Sequence, residues 1–416
     1  MWNQLRKSRS RGPVLQSQPA SSRDHSSHRS GLRELPALSP RPPMLFYVVD
    51  WLPPDFGAVG QYGMIFAREI AEKGRNVCLL GLTSGASNTV SEVGVDGCLF
   101  EIKKISAKRY DKAGLVNRLV WSLRTNFRLS LTLIRDPRSR GAEVLFTGSP
   151  PFMLFFVFFV KWLRGARLIY RITDFYPEVL IAAWGKRSMP MALFERITWF
   201  LRRRVDAFQV LGEDQRRLLV AGGIPAERIT LKRDIAPASF SAAAKPAARP
   251  AKLAGRMVLL YSGNYGVAHE IDTVVDGLVR HHRNGRGQFG LWLNASGSSL
   301  QTVTRELGAA GVAFARTAPV ALDQLPSLLA SADAHLITLR PGFSGLVLPS
   351  KLYGCLASGR PILFVGPNDS DVHLLCKQTK NLLYEHVEPG DGAAFADALD
   401  RLAHSISSQK RAVLTK

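Results

Sequence analysis

The sequence predicts an α/β protein built from two Rossmann-like domains that face a cleft. Three observations lead there. The chain has 416 residues, more than one hydrophobic core usually supports. Apolar runs of strand length alternate with helically periodic stretches, the pattern of a parallel sheet wound with helices. That alternation stops at an Ala/Pro-rich stretch without periodicity, Pro237 to Arg256, and then begins again. The expected division is a basic tail over 1–43, a first domain over 44–240, a linker over 241–256 and a second domain over 257–416.

The tail carries eight Lys/Arg against two acids, many Ser and Pro and little to bury, so disorder is expected. It is also Arg- and Ser-rich in the manner of a transit peptide. From Met44, "MLFYVVDWL" reads as a strand. "GQYGMIFAREIAEKG" has apolar residues at helical spacing and a capping Gly74. "NVCLLGL" and "GCLFEIKKI" are strands. "GLVNRLVWSLRTNFRLSLTLI" is a long helix, with Leu115, Leu119, Leu123, Phe127 and Leu131 four apart. "AEVLFTGSP" is a strand ending in a turn, and "PPFMLFFVFFVKWL" is apolar on every side. The strand "ARLIYRITD", the helix "MALFERITWFLRRRV" and the strand "DAFQVLG" complete the first half. In the second half, "MVLLYSG", "QFGLWLNASG", "VAFART", "AHLITL" and "PILFVGP" are strands. Helices lie between them, and "GAAFADALDRLAHSI" closes the chain.

Hydrophobic residues make up 46% of the chain, enough for two cores. The formal charge is +22, and the tail supplies only six of it, so the remainder is itself basic and implies an anionic partner. No basic helix-turn-helix or aromatic-basic RNA motif is visible, so nucleic acid is not expected. The four cysteines form no CxxC pair, which argues against structural zinc and for reduced thiols. No apolar run reaches the roughly 18–20 residues of a spanning helix. The run from Phe152 to Val160 ends at Lys161, and is either buried or dips into a membrane interface. Arg118, Arg124, Arg128, Arg135, Lys161, Arg164 and Arg202 to Arg204 sit among Trp121, Phe127, Trp162 and Trp199. This pattern predicts peripheral attachment to an anionic membrane surface.

In open α/β sheets ligands bind beyond the carboxyl ends of strands, so the loops that follow strands carry the candidates. "DWLPPDFGAVGQYG" offers Gly57, Gly60 and Gly63 for close backbone approach, but it is not a G-x-G-x-x-G and does not point to NAD. "YSGNYGVAHEID" offers the N–H groups of Gly263 and Gly266 to a diphosphate, with Asn264 and His269 beside them. "YRITDFYPEVL" ends a strand in Asp174, with Glu178 four residues on. Carboxylates there suit general-base or nucleophilic work, the alternative for Asp174 being a helix cap. Arg340 follows "LITL" and suits either phosphate or a surface ion pair. "GLVLPSKLYGCLASGRPILFVGP" places Ser350 and Lys351 at the mouth of a helix, where unpaired N–H groups and a lysine attract anions. The alternative is an N-cap and a solvated side chain. Asp369-Ser370-Asp371 is a lone D-x-D in a polar turn, and no metal is expected.

Several of these loops together resemble GT-B fold glycosyltransferases, in particular the branch of glycosyltransferase family 4 that assembles bacterial surface polysaccharides. "TGSPPFMLFFVFFVKWLRGARLIYRITDFYPE" resembles that branch's Ser-Pro-Pro, apolar helix, strand and Asp-x-x-Pro-Glu run. "LYSGNYGVAHEIDTVVDGL" resembles its donor-phosphate loop. "LPSLLASADAHLITL" and "VLPSKLYGCLASGRPILFVGP" resemble its donor-binding half. The chain departs from the wider family where Leu346 and Gly354 replace the two carboxylates of Glu-x7-Glu, and where Asn264 and His269 replace the phosphate-binding Arg and Lys. The family's catalytic-face histidine aligns near Asp174.

The resemblance implies transfer of a hexose, with retention, from a nucleotide-diphosphate donor to a polyprenyl-linked saccharide in polysaccharide biosynthesis. It implies Asp174 and Glu178 as catalytic residues, and Gly57, Gly60, Gly263, Asn264, His269, Arg340, Ser350 and Lys351 as donor-binding, with Lys351 supplying the missing charge. No cofactor or metal is implied, and the place of action is the cytoplasmic face of the plasma membrane. A GT-B nucleotide-sugar epimerase and a non-enzymatic anionic-surface-binding protein are the alternatives.

Overall fold

The computed structural model describes residues 43–55, 58–94, 97–108, 115–236, 245–284, 287–297 and 300–414. The expected disordered tail falls almost wholly outside them, as do Gly57 and the first four residues of the expected linker. From Pro42 onward the chain forms one compact unit.

The first half contributes β1 (Leu45–Trp51), α1 (Ala58–Glu72), β2 (Val77–Thr83), β3 (Asn88–Val93), β4 (Leu99–Ser106), α2 (Leu115–Arg135) and β5 (Glu143–Thr147). It continues with α3 (Met153–Arg164), β6 (Arg167–Ile172), α4 (Glu178–Trp184), α5 (Met189–Arg202), β7 (Ala207–Val210), α6 (Glu213–Ala221) and β8 (Ile229–Leu231). Its sheet runs β3-β4-β2-β1-β5-β6-β7-β8, parallel except for the β3–β4 pair. The second half contributes β9 (Met257–Asn264), α7 (Asp272–Arg283), β10 (Phe289–Ser296), α8 (Leu300–Ala309), β11 (Phe314–Thr317) and α9 (Leu325–Ala330). It ends with β12 (Ala334–Thr338), α10 (Lys351–Ala357), β13 (Ile362–Val365), α11 (Asp371–Gln378), β14 (Tyr384–Val387) and α12 (Gly392–Leu414). Its all-parallel sheet runs β11-β10-β9-β12-β13-β14.

Strands covered on both faces read as continuous apolar runs, and β2 is buried at every residue. The three strands without a sequence signal lie at sheet edges. β3 pairs on one side only and is exposed throughout, so nothing selects an apolar pattern in "NTVSEV". β8 and β14 are three and four residues long.

Helix α2 does not bury the residues that its four-residue spacing aligns. Of the residues spaced by four, Leu119, Leu123 and Phe127 are exposed, while Leu129 and Leu133 are buried with Ser122, Thr125, Asn126 and Ser130. Helix α3 likewise buries Met153, Leu154, Val157 and Val160 and leaves Phe159, Trp162 and Leu163 in solvent.

The stretch 245–256 packs on the second domain. Ala247 N–H donates to Ser327 O at 2.9 Å, Arg249 pairs with Asp333 at 2.8 Å, and Leu253 is buried beside Val258 and Trp292. Helix α12 stays on that domain too, burying Phe395, Leu399, Leu402 and Ile406 in its core.

Two clasps hold the halves together. Asp174 and Val347 form an antiparallel bridge, and Phe175 N–H donates to Leu346 O at 2.9 Å. Asp371, fully buried, accepts from Arg233 Nη2 at 2.9 and 3.0 Å and from Glu213 N–H at 2.9 Å. Asp214 answers it, accepting from Asp371 N–H at 3.0 Å and Gly345 N–H at 3.2 Å. A carboxylate taking several such bonds is compensated for its burial.

Candidate active site

Strand β9 runs out at Asn264, and Gly263 before it has φ +121°, a conformation open to glycine and strained for other residues. A Cβ on Gly263 would lie 3.7 Å from Lys351 Cε. Lys351 opens α10, and its ammonium is buried 3.5 Å from the centre of the Tyr261 ring with no hydrogen-bond partner among the described residues. Burial pushes its pKa down to about 7. The Tyr261 hydroxyl is turned away, donating to Asn264 O at 2.9 Å.

Above Lys351 lies a cavity of about 200 Å³. Gly263, Asn264, Ser350, Lys351 and Gly354 form its polar side, and Val320, Leu322, Leu325 and Leu329 its apolar wall. Gln61 and Tyr62 reach into it from α1 of the first domain. Asn294 braces the wall, its Nδ2 donating to Thr317 Oγ1 at 2.9 Å and Ala318 O at 2.6 Å.

A second cavity, about 120 Å³, lies on the first-domain side and is lined by Tyr47, Arg171, Thr173, Asp174 and Asp234. Tyr62 and Ser350 line both cavities, so the two are neighbours across them. Asp174 follows β6 and is half-buried. Burial raises its carboxyl to about 6, and it has no hydrogen-bond partner among the described residues. The helix-cap alternative does not hold: α4 begins at Glu178, with Pro177 at its cap position and no side-chain cap bond. Arg171 and Asp234 form a buried pair at 2.6 Å, with the guanidinium 4.5 Å from the Phe66 ring centre.

Glu178 has a different environment from Asp174. Both its oxygens face Arg202, Nη1 on one and Nη2 at 3.0 Å on the other. Arg202 is buried, lies over Phe175 and Trp199, and donates to Tyr176 O at 2.8 Å. Glu178 lines neither cavity and braces the loop that carries Asp174.

Of the expected donor residues, Gly263, Asn264, Ser350 and Lys351 come together, Gly60, His269 and Arg340 do not, and Gly57 lies outside the described residues. Gly60 is packed against β1, where a Cβ would lie 1.8 Å from Trp51 O. His269 sits behind the wall of the cavity, its Nδ1 2.8 Å from Thr338 O and its ring stacked on Tyr265. Burial, with Lys351 close by, pushes the imidazole down to about 3 and keeps it neutral. Arg340 is exposed, and its Nη1 donates to Val267 O at 3.2 Å, which holds a loop rather than a ligand. Asp371 is committed to its clasp, and among the described residues no group of His, Cys, Asp and Glu is placed to hold a metal.

Sequence reasoning passed over Tyr62, Arg171, Asp234, Asn294 and the wall around Val320. Two signals were there. "TAPVALDQL" also follows a strand, and Arg171 is a cation inside an apolar strand, which demands a buried partner.

No family model matches the chain. It is 24% identical over 389 residues to WbjE of Pseudomonas aeruginosa, a protein named as a probable glycosyltransferase. That match covers 89% of this chain and 93% of WbjE. It is 23% identical over 232 residues to WcaI of Escherichia coli, named as a glycosyl transferase for colanic acid biosynthesis, covering 52% and 55%. Among solved structures it is similar to Anabaena HepE in complex with UDP and glucose. There the TM-score is 0.54 with 10% identity, over 90% of this chain and 99% of HepE. The fold is GT-B, and the chain is a glycosyltransferase. Within that fold the two cavities fall on the two domains' facing strand ends, and Gly354, one of the two positions that lack the wider family's carboxylates, lines the second-domain cavity next to Lys351.

Proposed function

We propose that this glycosyltransferase moves a hexose from a nucleoside diphosphate sugar to a lipid-linked saccharide during synthesis of a surface polysaccharide, at an anionic membrane face. The observation that carries the donor half is Lys351. A buried ammonium without a hydrogen-bond partner is costly, and it borders a cavity that also presents the β9 loop. A diphosphate there would meet the lysine, the loop N–H groups and the Ser350 hydroxyl, with the nucleoside against Val320, Leu322 and Leu325. HepE, of the same fold, was solved with UDP and glucose.

As the bond from the anomeric carbon to the diphosphate oxygen breaks, charge grows on the leaving group, and Lys351 stabilises it where a metal would otherwise serve. The acceptor oxygen then bonds to the anomeric carbon, and its proton passes to the Asp174 carboxylate or to the departing diphosphate. Asp174, ionised above about pH 6, orients that hydroxyl or stabilises the cationic sugar. His269, neutral and already hydrogen-bonded, does not take the proton. Glu178 acts through Asp174's loop as a positioning residue. Retention follows the family resemblance, and the anomeric configuration of the product by NMR tests it.

The membrane half rests on helices α2, α3 and α5, which lie side by side. They expose Phe127, Phe159, Trp162 (76% exposed), Met189 (89%), Leu193 and Phe200, far more apolar surface than a solvated face needs. Among the described residues no helix is long and apolar enough to cross a membrane. Attachment would therefore be peripheral, and WcaI is named for colanic acid biosynthesis.

Calorimetry with UDP tests the donor site. Lys351→Met is expected to weaken binding by tens-fold, the size of a charge-assisted contact. An unchanged Kd would remove the proposal's main support. An epimerase would convert the donor without an acceptor, so acceptor-dependent UDP release separates the two activities.

A further inference from the structure

Outside the cleft, two cavities adjoin along α2 and share Arg128. One, of about 550 Å³, lies between α2 and the β3–β4 edge. Its walls carry Lys103, Lys104, Arg128 and Arg135 with the hydroxyls of Ser87 and Thr132, and no acid. The other, of about 530 Å³, is floored by Trp121 and walled by Ala107, Val120 and Phe127, with Lys108 and Arg124 as its other cations and again no acid among the described residues.

Lys103 is neutralised by Asp136 at 2.7 Å and Glu101 at 3.1 Å. Lys104 donates only to Pro53 O, Arg128 only to Ser106 O, and Arg135 has no acidic partner among the described residues. Three cations thus line one cavity with no acidic partner among the described residues, and like charges so placed repel unless an anion joins them. Arg128 and Arg135 are seven residues apart on α2, hence on one face, and Val120 and Phe127 hold the same spacing on the apolar half. Val120 and Phe127 are exposed. The groove is therefore cationic at one end and greasy at the other.

Its place in the fold links it to the cleft. Trp121 stacks on Trp51 at 5.8 Å, and Trp51 ends β1. Trp51 O abuts Gly60 in α1, and Tyr62 two residues on lines both catalytic cavities.

We infer that the α2 groove binds a single anionic amphiphile, the phosphate of the lipid-linked acceptor at the three cations and its first hydrocarbon units against Trp121, Val120 and Phe127. Charge complementarity and the adjoining apolar half select this occupant over a free anion. The inference rests on the lipid-linked acceptor of the proposed function and gives that acceptor a place.

Farnesyl diphosphate is the probe, read by tryptophan fluorescence and calorimetry, with inorganic pyrophosphate, farnesol and anionic phosphatidylglycerol vesicles as separate arms. The expected result is binding at least about tenfold tighter for the amphiphile than for pyrophosphate or farnesol alone. Arg128→Gln with Arg135→Gln is expected to weaken it at least about tenfold. Phe127→Gln with Val120→Gln is expected to weaken it while leaving pyrophosphate binding unchanged. UDP affinity, measured on the same samples, reports the fold and the donor site, since no groove residue lines that cavity. Lost UDP binding with retained amphiphile binding would count against the donor proposal and leave the groove standing. Equal affinity for pyrophosphate and the amphiphile, or a response confined to vesicles and indifferent to all four substitutions, would overturn the groove as a ligand site. So would no binding to wild type at intact UDP affinity.

Discussion

Raising the pH above 7 is expected to weaken donor binding, and Lys351 is the reason. Burial holds its pKa at about 7 against an ordinary 10.5. A bound diphosphate places negative charge beside the ammonium and restores the proton. At pH 8 about one free molecule in ten carries that proton, so binding should take up about 0.9 proton. The Kd for UDP is then expected to rise about tenfold for each unit above pH 7. The terminal phosphate of UDP is ionised throughout that range, its own pKa being about 6, so the ligand does not mimic the effect. Calorimetry at pH 8 in two buffers of different ionisation enthalpy measures the proton uptake directly, and Lys351→Met should abolish it.

The sign for folding is opposite. Between about 7 and 10.5 the unfolded chain binds more protons at this lysine than the folded one, so Lys351's contribution to the stability of the ligand-free protein rises with pH across that window. The wild-type-minus-Met difference in denaturation midpoint, followed from pH 7 to 10, reports it. Absence of proton uptake, or the same pH dependence in the Met variant, would refute the reasoning.

Three further outcomes follow from the same geometry. Asp174→Asn is expected to lower transfer at least about a hundredfold with UDP affinity unchanged. Its melting temperature should hold or rise above pH 6, because the carboxylate it replaces is raised by burial and ionised there at a cost. In the wild type, the acid limb of kcat is expected near pH 6, with activity falling as the pH drops through it. Glu178→Gln should behave in the reverse manner, losing about 3–5 kcal/mol in urea denaturation because Arg202 is left buried and unpaired. A neutral effect on stability would free Glu178 for a direct role. Trp162→Ser with Phe159→Ser is expected to reduce co-sedimentation with anionic vesicles while leaving UDP affinity alone, and equal partition onto neutral and anionic vesicles by the wild type would count against membrane attachment.

The sequence by itself determined the two-domain α/β plan and the order of the long elements, and it directed attention to the loops after strands. It also singled out Asp174 and Lys351. Those are local properties: the period of the apolar residues, the Ala/Pro break, a carboxylate or a lysine at the end of an apolar run. Tertiary structure decided everything that depends on a distant partner. Glu178 resembles Asp174 in sequence, yet Arg202, 24 residues away, claims it. Asp371 looks like a metal motif until Glu213, 158 residues away, and Arg233 meet it. His269 stands where the wider family has a cation, but stacking on Tyr265 and burial make it a neutral wall. The four-residue spacing in α2 does not say which face is covered: Leu119, Leu123 and Phe127 are exposed, while Leu129 and Leu133 pack into the first domain's core. Periodicity fixes that a helix forms and which residues share a face. Which face is covered, and which charges cancel, is set by the chain folded against it.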